Sequence, residues 1–457
     1  MRQKKTTRRD FLKQATAASA GAISFPYIVP ASALGKNGNV APGNRIVMGC
    51  IGVGGQGTGN MKRFMGRDDV QIVAVCDVER KSNLYHGGAT LGLEPAKAAV
   101  EKYYADKNAS GTWKGCEAYN DFRDLLQRKD IDAVTICTPD HWHALIAIAA
   151  ANAGKDIYCE KPLANSVCEG RAIVKAVTKN KRILQCGSQE RSGPNARYAC
   201  ELVRNGRIGK LKTISINLPF DEGHHKQVLE MNKEPQPEMP VPEGFDYDFW
   251  LGHTPKVFYT KNRCHFWWRF NLNYGGGEMT DRGAHIIDLA QLGNGTDDTG
   301  PIEITAEGRR DPNALFNVFT DYRFENVYAN GVRMIGANQG PRGLKFEGDE
   351  GWIFIHIHGA KLEASKESIL KEKIRDDEIQ LGRTSGHHEN FLDAVRSRKD
   401  PFATAEIGHR TASICHLNNI AMLVGRPLKW DPKAERITND PEANALLCPK
   451  MRPPWHL

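Results

Sequence analysis

The stretch Arg45-Ile46-Val47-Met48-Gly49-Cys50-Ile51-Gly52-Val53-Gly54-Gly55-Gln56-Gly57 decides how this chain folds. Arg45 to Ile51 reads as a short buried strand, and a helix is expected from about Thr58. Between them Gly52, Gly54 and Gly57 stand in G-x-G-x-x-G register. The first permits a tight turn, the second lets the backbone approach a pyrophosphate, and the third lets the helix pack close. The helix N-terminus then offers amide donors and a partial positive charge. Glycine-rich turns are common, so the motif is weak by itself. It gains force because a second apolar run, Val70 to Cys76, ends on Asp77 about twenty residues further on. An acid there accepts hydrogen bonds from both hydroxyls of an adenosine ribose and repels a 2′-phosphate. The pairing points to a dinucleotide, NAD in preference to NADP. Only Arg80 and Lys81, close behind Asp77, speak for NADP.

Further apolar runs follow at Ile131 to Cys137, Asp156 to Cys159 and Ile183 to Cys186. Helical stretches lie between them, notably His143 to Ala153 and Val167 to Thr178. Short buried strands alternating with helices mean a parallel, doubly wound α/β sheet. Residues 45–188 are therefore expected to form a Rossmann domain. Beyond about Ser188 the pattern changes. A helix (Ala196 to Asn205) and a strand (Leu211 to Leu218) lead into a Pro-rich irregular loop, Asp221 to Pro242. Runs with partial alternation come next: Glu303 to Gly308, Leu315 to Phe324, Tyr328 to Ile335, Leu344 to Glu347 and Trp352 to His358. They predict one open, mainly antiparallel sheet, with helices at Gly386 to Arg398 and Ile407 to Leu423. Residues 189–457 thus read as an α+β domain for substrate binding and, through its sheet, homo-oligomer formation.

The 457 residues are 40% hydrophobic and 25% charged, with a formal charge of +8. That charge is partly removable. Residues 1–33 carry six bases (Arg2, Lys4, Lys5, Arg8, Arg9, Lys13) and one acid, Asp10, so 56 bases and 53 acids remain of the 62 and 54. A near-neutral body with no basic stripe excludes nucleic acid as the partner. The first 33 residues read as an export signal, with Arg8-Arg9-Asp10-Phe11-Leu12-Lys13 ahead of a weakly apolar stretch broken by Gly21 and Pro26. The arginine pair resembles a twin-arginine signal. It implies recognition by that export machinery and a periplasmic location, with a cleavage site at Ala31-Ser32-Ala33 or Ala18-Ser19-Ala20. Residues 34–44 form a Gly/Asn/Pro linker. Of the eleven cysteines, Cys50, Cys76, Cys137, Cys159 and Cys186 sit in apolar runs, and the set is expected to be free, buried thiols. None has zinc spacing, and no metal site is expected.

Three further segments carry a family resemblance: Thr138-Pro139-Asp140-His141-Trp142-His143, Cys159-Glu160-Lys161-Pro162-Leu163, and Gly275-Gly276-Gly277-Glu278-Met279-Thr280-Asp281-Arg282-Gly283-Ala284-His285-Ile286-Ile287-Asp288. In this order, behind G-x-G-x-x-G, they resemble the Gfo/Idh/MocA oxidoreductases, named for glucose–fructose oxidoreductase and inositol dehydrogenase. The likeness runs from about Arg45 to the C-terminus. It implies that Lys161, Asp281 and His285 are catalytic, and that Thr138, Pro139, His143 and Glu160 lie beside the nicotinamide. It also implies that Pro162 follows a cis peptide bond. Trp142 with the extra His141 departs from the family's usual loop.

Elementary chemistry agrees with the resemblance. Oxidising a secondary alcohol needs a hydride acceptor and a base for the hydroxyl proton. On a helix, Asp281, His285 and Asp288 would fall within roughly 60° of one another, so two carboxylates would flank the histidine. Ile286, Ile287 and Leu289 would face the core. A lysine suits stabilisation of a developing alkoxide. His224-His225 and His387-His388, in polar glycine-flanked segments, read as solvated or substrate-rim residues. The aromatics of His265-Phe266-Trp267-Trp268-Arg269 could stack on sugar faces, but at least one tryptophan should pack in the core or an interface, and Arg191 is a candidate for substrate contact. The expected reaction is hydride transfer between NAD and a sugar, cyclitol or glycoside hydroxyl. The alternative is a glycosidase working by transient oxidation, elimination and re-reduction. A non-catalytic sugar-binding protein on the same fold would be marked by loss of the lysine or histidine, and both are present.

Overall fold

The computed structural model describes residues 42–108, 110–220, 224–358 and 361–457. The segment read as an export signal and the expected linker through residue 41 lie outside them; Pro42–Asn44 form a 3-10 turn. Six strands make the first sheet: β1 (Ile46–Ile51), β2 (Val70–Cys76), β3 (Glu117–Tyr119), β4 (Ala133–Ile136), β5 (Asp156–Cys159) and β6 (Leu184–Cys186). All are parallel, in the order 3-2-1-4-5-6. The order reverses at β1, which opens a crevice at the carboxyl ends of β1 and β4. Helices cover both faces, so β4 and β5 are buried throughout and read as continuous apolar runs. The edge strand β3, largely exposed, gave no such signal.

The helix after β1 spans Gly55–Met65, with Gly54 as its N-cap, so it starts inside the glycine cluster, ahead of Thr58. The helix after β4 likewise starts early, at Asp140, directly behind Pro139. Both shifts place helix N-termini at the crevice.

The second sheet has nine strands: β7 (Leu211–Asn217), β8 (Glu303–Arg309), β9 (Asp321–Val327), β10 (Arg333–Ala337), β11 (Gly343–Gly348), β12 (Trp352–His356), β13 (Leu362–Ala364), β14 (Leu428–Asp431) and β15 (Arg436–Ile437). Their order is 13-12-11-7-10-9-8-14-15, antiparallel except where β10 pairs with β7. One face packs Ile214, Ile216 and Phe346 against Ile287, Leu289 and Leu417 of the helices Arg282–Asn294 and Ala405–Val424. The other carries ion pairs such as Arg333–Glu325 and Lys345–Glu347. Both sheets belong to one unit, Ile46–Leu457.

Three expectations are corrected. Leu315 to Thr320 is not strand: Phe316 and Val318 turn in to fill a small core with Val228 and Phe270. The Pro-rich loop contains a helix, His225–Lys233. The thiols are not all free either, since Cys168 and Cys448 form a disulfide across 280 residues of sequence. Nine cysteines remain free, all but Cys137 buried. Among the described residues no helix is long and apolar enough to cross a membrane.

Candidate active site

A cleft of about 520 Å³ follows the carboxyl ends of β1, β2 and β4 and is walled on the far side by residues from Phe245 to His285. The glycines at its floor are required by space. Gly52 has φ +79°, and a Cβ there would lie 2.7 Å from the Cys137 carbonyl carbon. A Cβ on Gly57 would lie 1.8 Å from the Gly52 oxygen. At the end of β2, the Asp77 carboxylate accepts hydrogen bonds from Val53 N (2.7 Å) and Glu79 N (3.0 Å). Burial pushes its pKa up to about 6 while these two amides pull it down. Arg80 pairs with Glu94 at the surface, and neither it nor exposed Lys81 lines the cleft. Neither of these two cations is therefore placed for a 2′-phosphate. Glycine turn, helix N-terminus and acid fit NAD. Asp77→Ala should weaken NAD about tenfold or more, the worth of hydrogen bonds to a charged group, and narrow the preference over NADP. Titration with both cofactors checks this, and an unchanged preference would remove Asp77 from that role.

Thr138 and Pro139 line the cleft beyond β4, and the buried Thr138 hydroxyl has no protein partner. His143 also lines it. Its Nε2 lies 3.0 Å from the Thr138 carbonyl and its Nδ1 2.8 Å from that of Pro162, so the ring ties the loops after β4 and β5 together. Burial brings its pKa down to about 4. Glu160 accepts from Asn60 Nδ2 (2.7 Å), Gln56 Nε2 (3.2 Å) and Gln189 Nε2 (3.3 Å), which anchors the start of the β5 loop beneath the glycine helix. The Lys161–Pro162 bond is cis.

Lys161 leaves this loop toward the helix Arg282–Asn294. Its Nζ lies 2.5 Å from Asp281 Oδ1 and 3.1 Å from the Asp281 carbonyl, joining positions 120 residues apart. Asp281 is the helix N-cap. Burial pushes its carboxyl up, but the charges of Lys161, Arg269 and Arg282 outweigh that and hold it well below the usual range. His285, one turn on, is buried, lines the same cleft, and has an Nδ1 without a hydrogen-bond partner. Burial, then the Lys161 charge, depress its pKa far below the ordinary value, so the imidazole is neutral.

The predicted second flanking carboxylate is corrected. Asp288 turns away and binds Arg191, with Nε–Oδ2 at 2.7 Å and both side chains 1% exposed. Arg191 also pairs with Asp297 at 2.8 Å. It is thus a buried strut between β6 and the His285 helix, not a substrate contact. Ile286, Ile287 and Leu289 are fully buried, as expected. Trp268 packs into the core and also lines the cleft, while half-buried Trp267 packs against the small core around Phe270.

His387, His388 and His225 also depart from expectation. His387 and His388 are buried. His387 Nδ1 meets Ser192 Oγ at 2.8 Å, and His388 stacks on Tyr158 and lies 3.1 Å from Asn60 Oδ1. They dock the helix His387–Ser397 onto the first sheet, which a polar-looking sequence conceals. His225 is buried, whereas His224 lines the cleft beside Glu278. His141 contacts the Trp250 carbonyl at 2.9 Å. Among the described residues no three such side chains form a metal-binding group.

Several lining residues escaped sequence reasoning. Asp140, at the start of its helix, is buried, and burial pushes its carboxyl well above the usual range despite Lys161 and Arg269 nearby. It stood inside the quoted Thr138–His143 segment, so a signal was available. Arg269, whose guanidinium lies 4.4 Å from the Trp268 ring centroid, likewise stood inside the quoted His265–Arg269 segment, whereas His358, 3.2 Å from Glu190, comes from a distant loop and had no signal.

Comparison with known proteins places these features. Residues 46–188 match a family model described as "Oxidoreductase family, NAD-binding Rossmann fold", and residues 195–457 match its "C-terminal alpha/beta domain". An inositol 2-dehydrogenase of Salmonella typhimurium is 31% identical over 164 residues, 35% of this chain and 42% of that protein. A glycosyl hydrolase family 109 protein of Shewanella pealeana is 31% identical over 217 residues, 45% and 44% of the two chains. The matched segments thus span less than half of these relatives. The fold is similar to the WlbA dehydrogenase of Bordetella pertussis solved with NADH and UDP-GlcNAcA (TM-score 0.59, 16% identity, 85% and 99% covered). It is also similar to scyllo-inositol dehydrogenase of Lactobacillus casei solved with NAD(H) and scyllo-inositol (0.56, 17%, 84% and 99%). With both family models matched in order along nearly the whole described chain, this protein belongs to the Gfo/Idh/MocA oxidoreductase family.

Proposed function

We propose that this protein is an exported oxidoreductase that moves a hydride between tightly held NAD and a secondary hydroxyl of a sugar, cyclitol or glycoside. The carrying observation is that Lys161, Asp281 and His285 line one cleft with the glycine turn and Asp77. Bound NAD supplies the hydride acceptor. Asp281, kept ionised, orients the Lys161 ammonium, and that charge stabilises the alkoxide as it develops. His285, kept neutral, takes the hydroxyl proton. Its proton affinity is held down first by burial and then by the lysine charge, so an alkoxide that offsets the lysine eases proton uptake. The inositol in the name of the dehydrogenase relatives, and the scyllo-inositol and UDP-GlcNAcA bound in two structural neighbours, support a polyhydroxylated ring. The test is single-turnover reduction of bound NAD by a panel of cyclitols, sugars and glycosides. Absence of nicotinamide reduction with every member would sink the reading.

A second reading is favoured by the glycosyl hydrolase relatives and by Asp140. A carboxylic acid whose proton is held more tightly because the group is buried in the cleft can protonate a departing aglycone oxygen, which elimination from a transiently oxidised ring requires. Cleavage of a glycoside with NAD fully recovered would establish it over simple dehydrogenation.

Export is supported by Arg8-Arg9 and by the Cys168–Cys448 disulfide, a bond typical of oxidising compartments. Since free NAD is not expected there, the cofactor enters before folded export, stays bound, and is reoxidised in place by a second substrate or an electron acceptor. We propose in addition that copies associate through the open face of the nine-stranded sheet. Replacing Arg8 and Arg9 with Lys should hold the folded protein in the cytoplasm, as read by fractionation, and undiminished export would argue against a twin-arginine route.

A further inference from the structure

Between β2 and the helix Leu93–Asp106 the chain leaves the first sheet as a loop. Ser82 and Leu91 close its neck, exchanging backbone hydrogen bonds of 2.9 Å in each direction. The base is tied to the far wall of the cleft. Glu79 bridges Phe245, Arg80 N donates to Gly244 O at 2.8 Å, and Asp246 N donates to Val78 O at 2.9 Å. The tip is freer, since Gly87 and Gly88 both have positive φ and open space where a Cβ would stand.

Tyr85, just before those glycines, lies over the phosphate-binding turn: a Cβ on Gly54 would be 2.6 Å from Tyr85 Cε1. Its ring meets His265 edge-on, at 4.9 Å and 87° between planes. His265 Nε2 lies 3.3 Å from Glu79 Oε2, with both side chains 4% exposed. His265 also holds a left-handed backbone (φ 57°), and its buried Nδ1 has no partner. One residue further along each strand of this contact, His86 stacks on Phe266 at 4.4 Å. Two aromatic pairs therefore join the loop tip to the opposite wall, the Tyr85–His265 pair lying against the glycine turn.

We propose that Tyr85 and His265, with Glu79 aligning the imidazole, form a clasp over the pyrophosphate turn that slows cofactor release. A dinucleotide seated on Gly52–Gly57 can leave upward only after the Tyr85–His265 contact opens, and Gly87-Gly88 give the tip its hinge. Burial keeps the Tyr85 phenol neutral, so the ring acts as an apolar cover and leaves charge complementarity to the helix N-terminus. The clasp rests on NAD occupying this cleft and gives a physical cause for the tight retention proposed above.

The test is displacement of bound NADH from the full chain by excess NAD, followed by nicotinamide fluorescence. Tyr85→Ala and His265→Asn, the latter chosen because Asn tolerates a left-handed backbone, should each release NADH on the order of tenfold faster, the loss expected for one edge-on aromatic contact. Tyr85→Phe keeps the ring and should release at the wild-type rate. Wild-type release by both Tyr85→Ala and His265→Asn, or fast release by Tyr85→Phe, would overturn the clasp. The comparison is a ratio to wild type. Rapid release by the wild type, with the variants still faster, would thus sink tight retention and leave the clasp standing.

Discussion

Lys161→Met and His285→Ala should each cut single-turnover reduction of bound NAD on the order of 10²–10⁴-fold, the usual contribution of a positioned proton-transfer group. Neither side chain belongs to the glycine turn or to Asp77, so NAD should remain bound in both, as read by released cofactor. The two losses should differ in their pH dependence. Without Lys161, the largest charge depressing the His285 imidazole is gone, while burial still holds its pKa down. The residual rate of Lys161→Met should therefore titrate with an imidazole shifted upward from wild type, whereas His285→Ala should lose that titration. Both variants reducing their cofactor at the wild-type rate would show the assignment to be wrong. If both failed to cleave a glycoside that the wild type cleaves, the residues would stand and the reaction would be the redox-neutral one.

Arg191→Met should destabilise the fold by about 3–5 kcal/mol, the cost of leaving one partner of a buried ion pair unpaired. Asp288 has its two oxygens on Arg191, and Thr411 Oγ1 at 3.2 Å is the further side chain on them. Burial already raises its pKa with the arginine in place. In the variant that pKa rises further above the unfolded value near 3.9. The folded state then binds the extra proton, so the penalty grows as pH rises through the shifted pKa and shrinks toward acid. Denaturant melts at two pH values check this, and a loss under about 1 kcal/mol would mean the pair is replaceable by solvent or repacking. Arg191→Met combined with Asp288→Leu should recover much of the loss, because the unpaired charge is gone. The pair also fixes the helix that carries His285, so the single variant should lower turnover beyond its loss of folded protein.

The sequence by itself determined the NAD turn and every strand of the first sheet but β3, and its resemblance to a known family singled out Lys161, Asp281 and His285. The sheet and the turn rest on local chemistry: strands buried on both faces read as apolar runs, glycines stand where a Cβ has no room, and an acid ends β2. Edge strand β3, exposed and short, had no such pattern. Where Lys161, Asp281 and His285 meet was set by tertiary structure, through a lysine reaching an N-cap 120 residues away. The same holds for every place where helical spacing misled. Asp288 lies on the predicted face, yet its charge is claimed by Arg191 from beyond β6, because a buried carboxylate must find a cation wherever the fold supplies one. His387 and His388 looked solvated because polar neighbours surround them in sequence, but burial is decided by what docks against a helix N-terminus. Cys168 and Cys448 pair only because the chain's end returns to the start of the helix Val167–Asn180, and no spacing along a chain can announce a contact made by such a return.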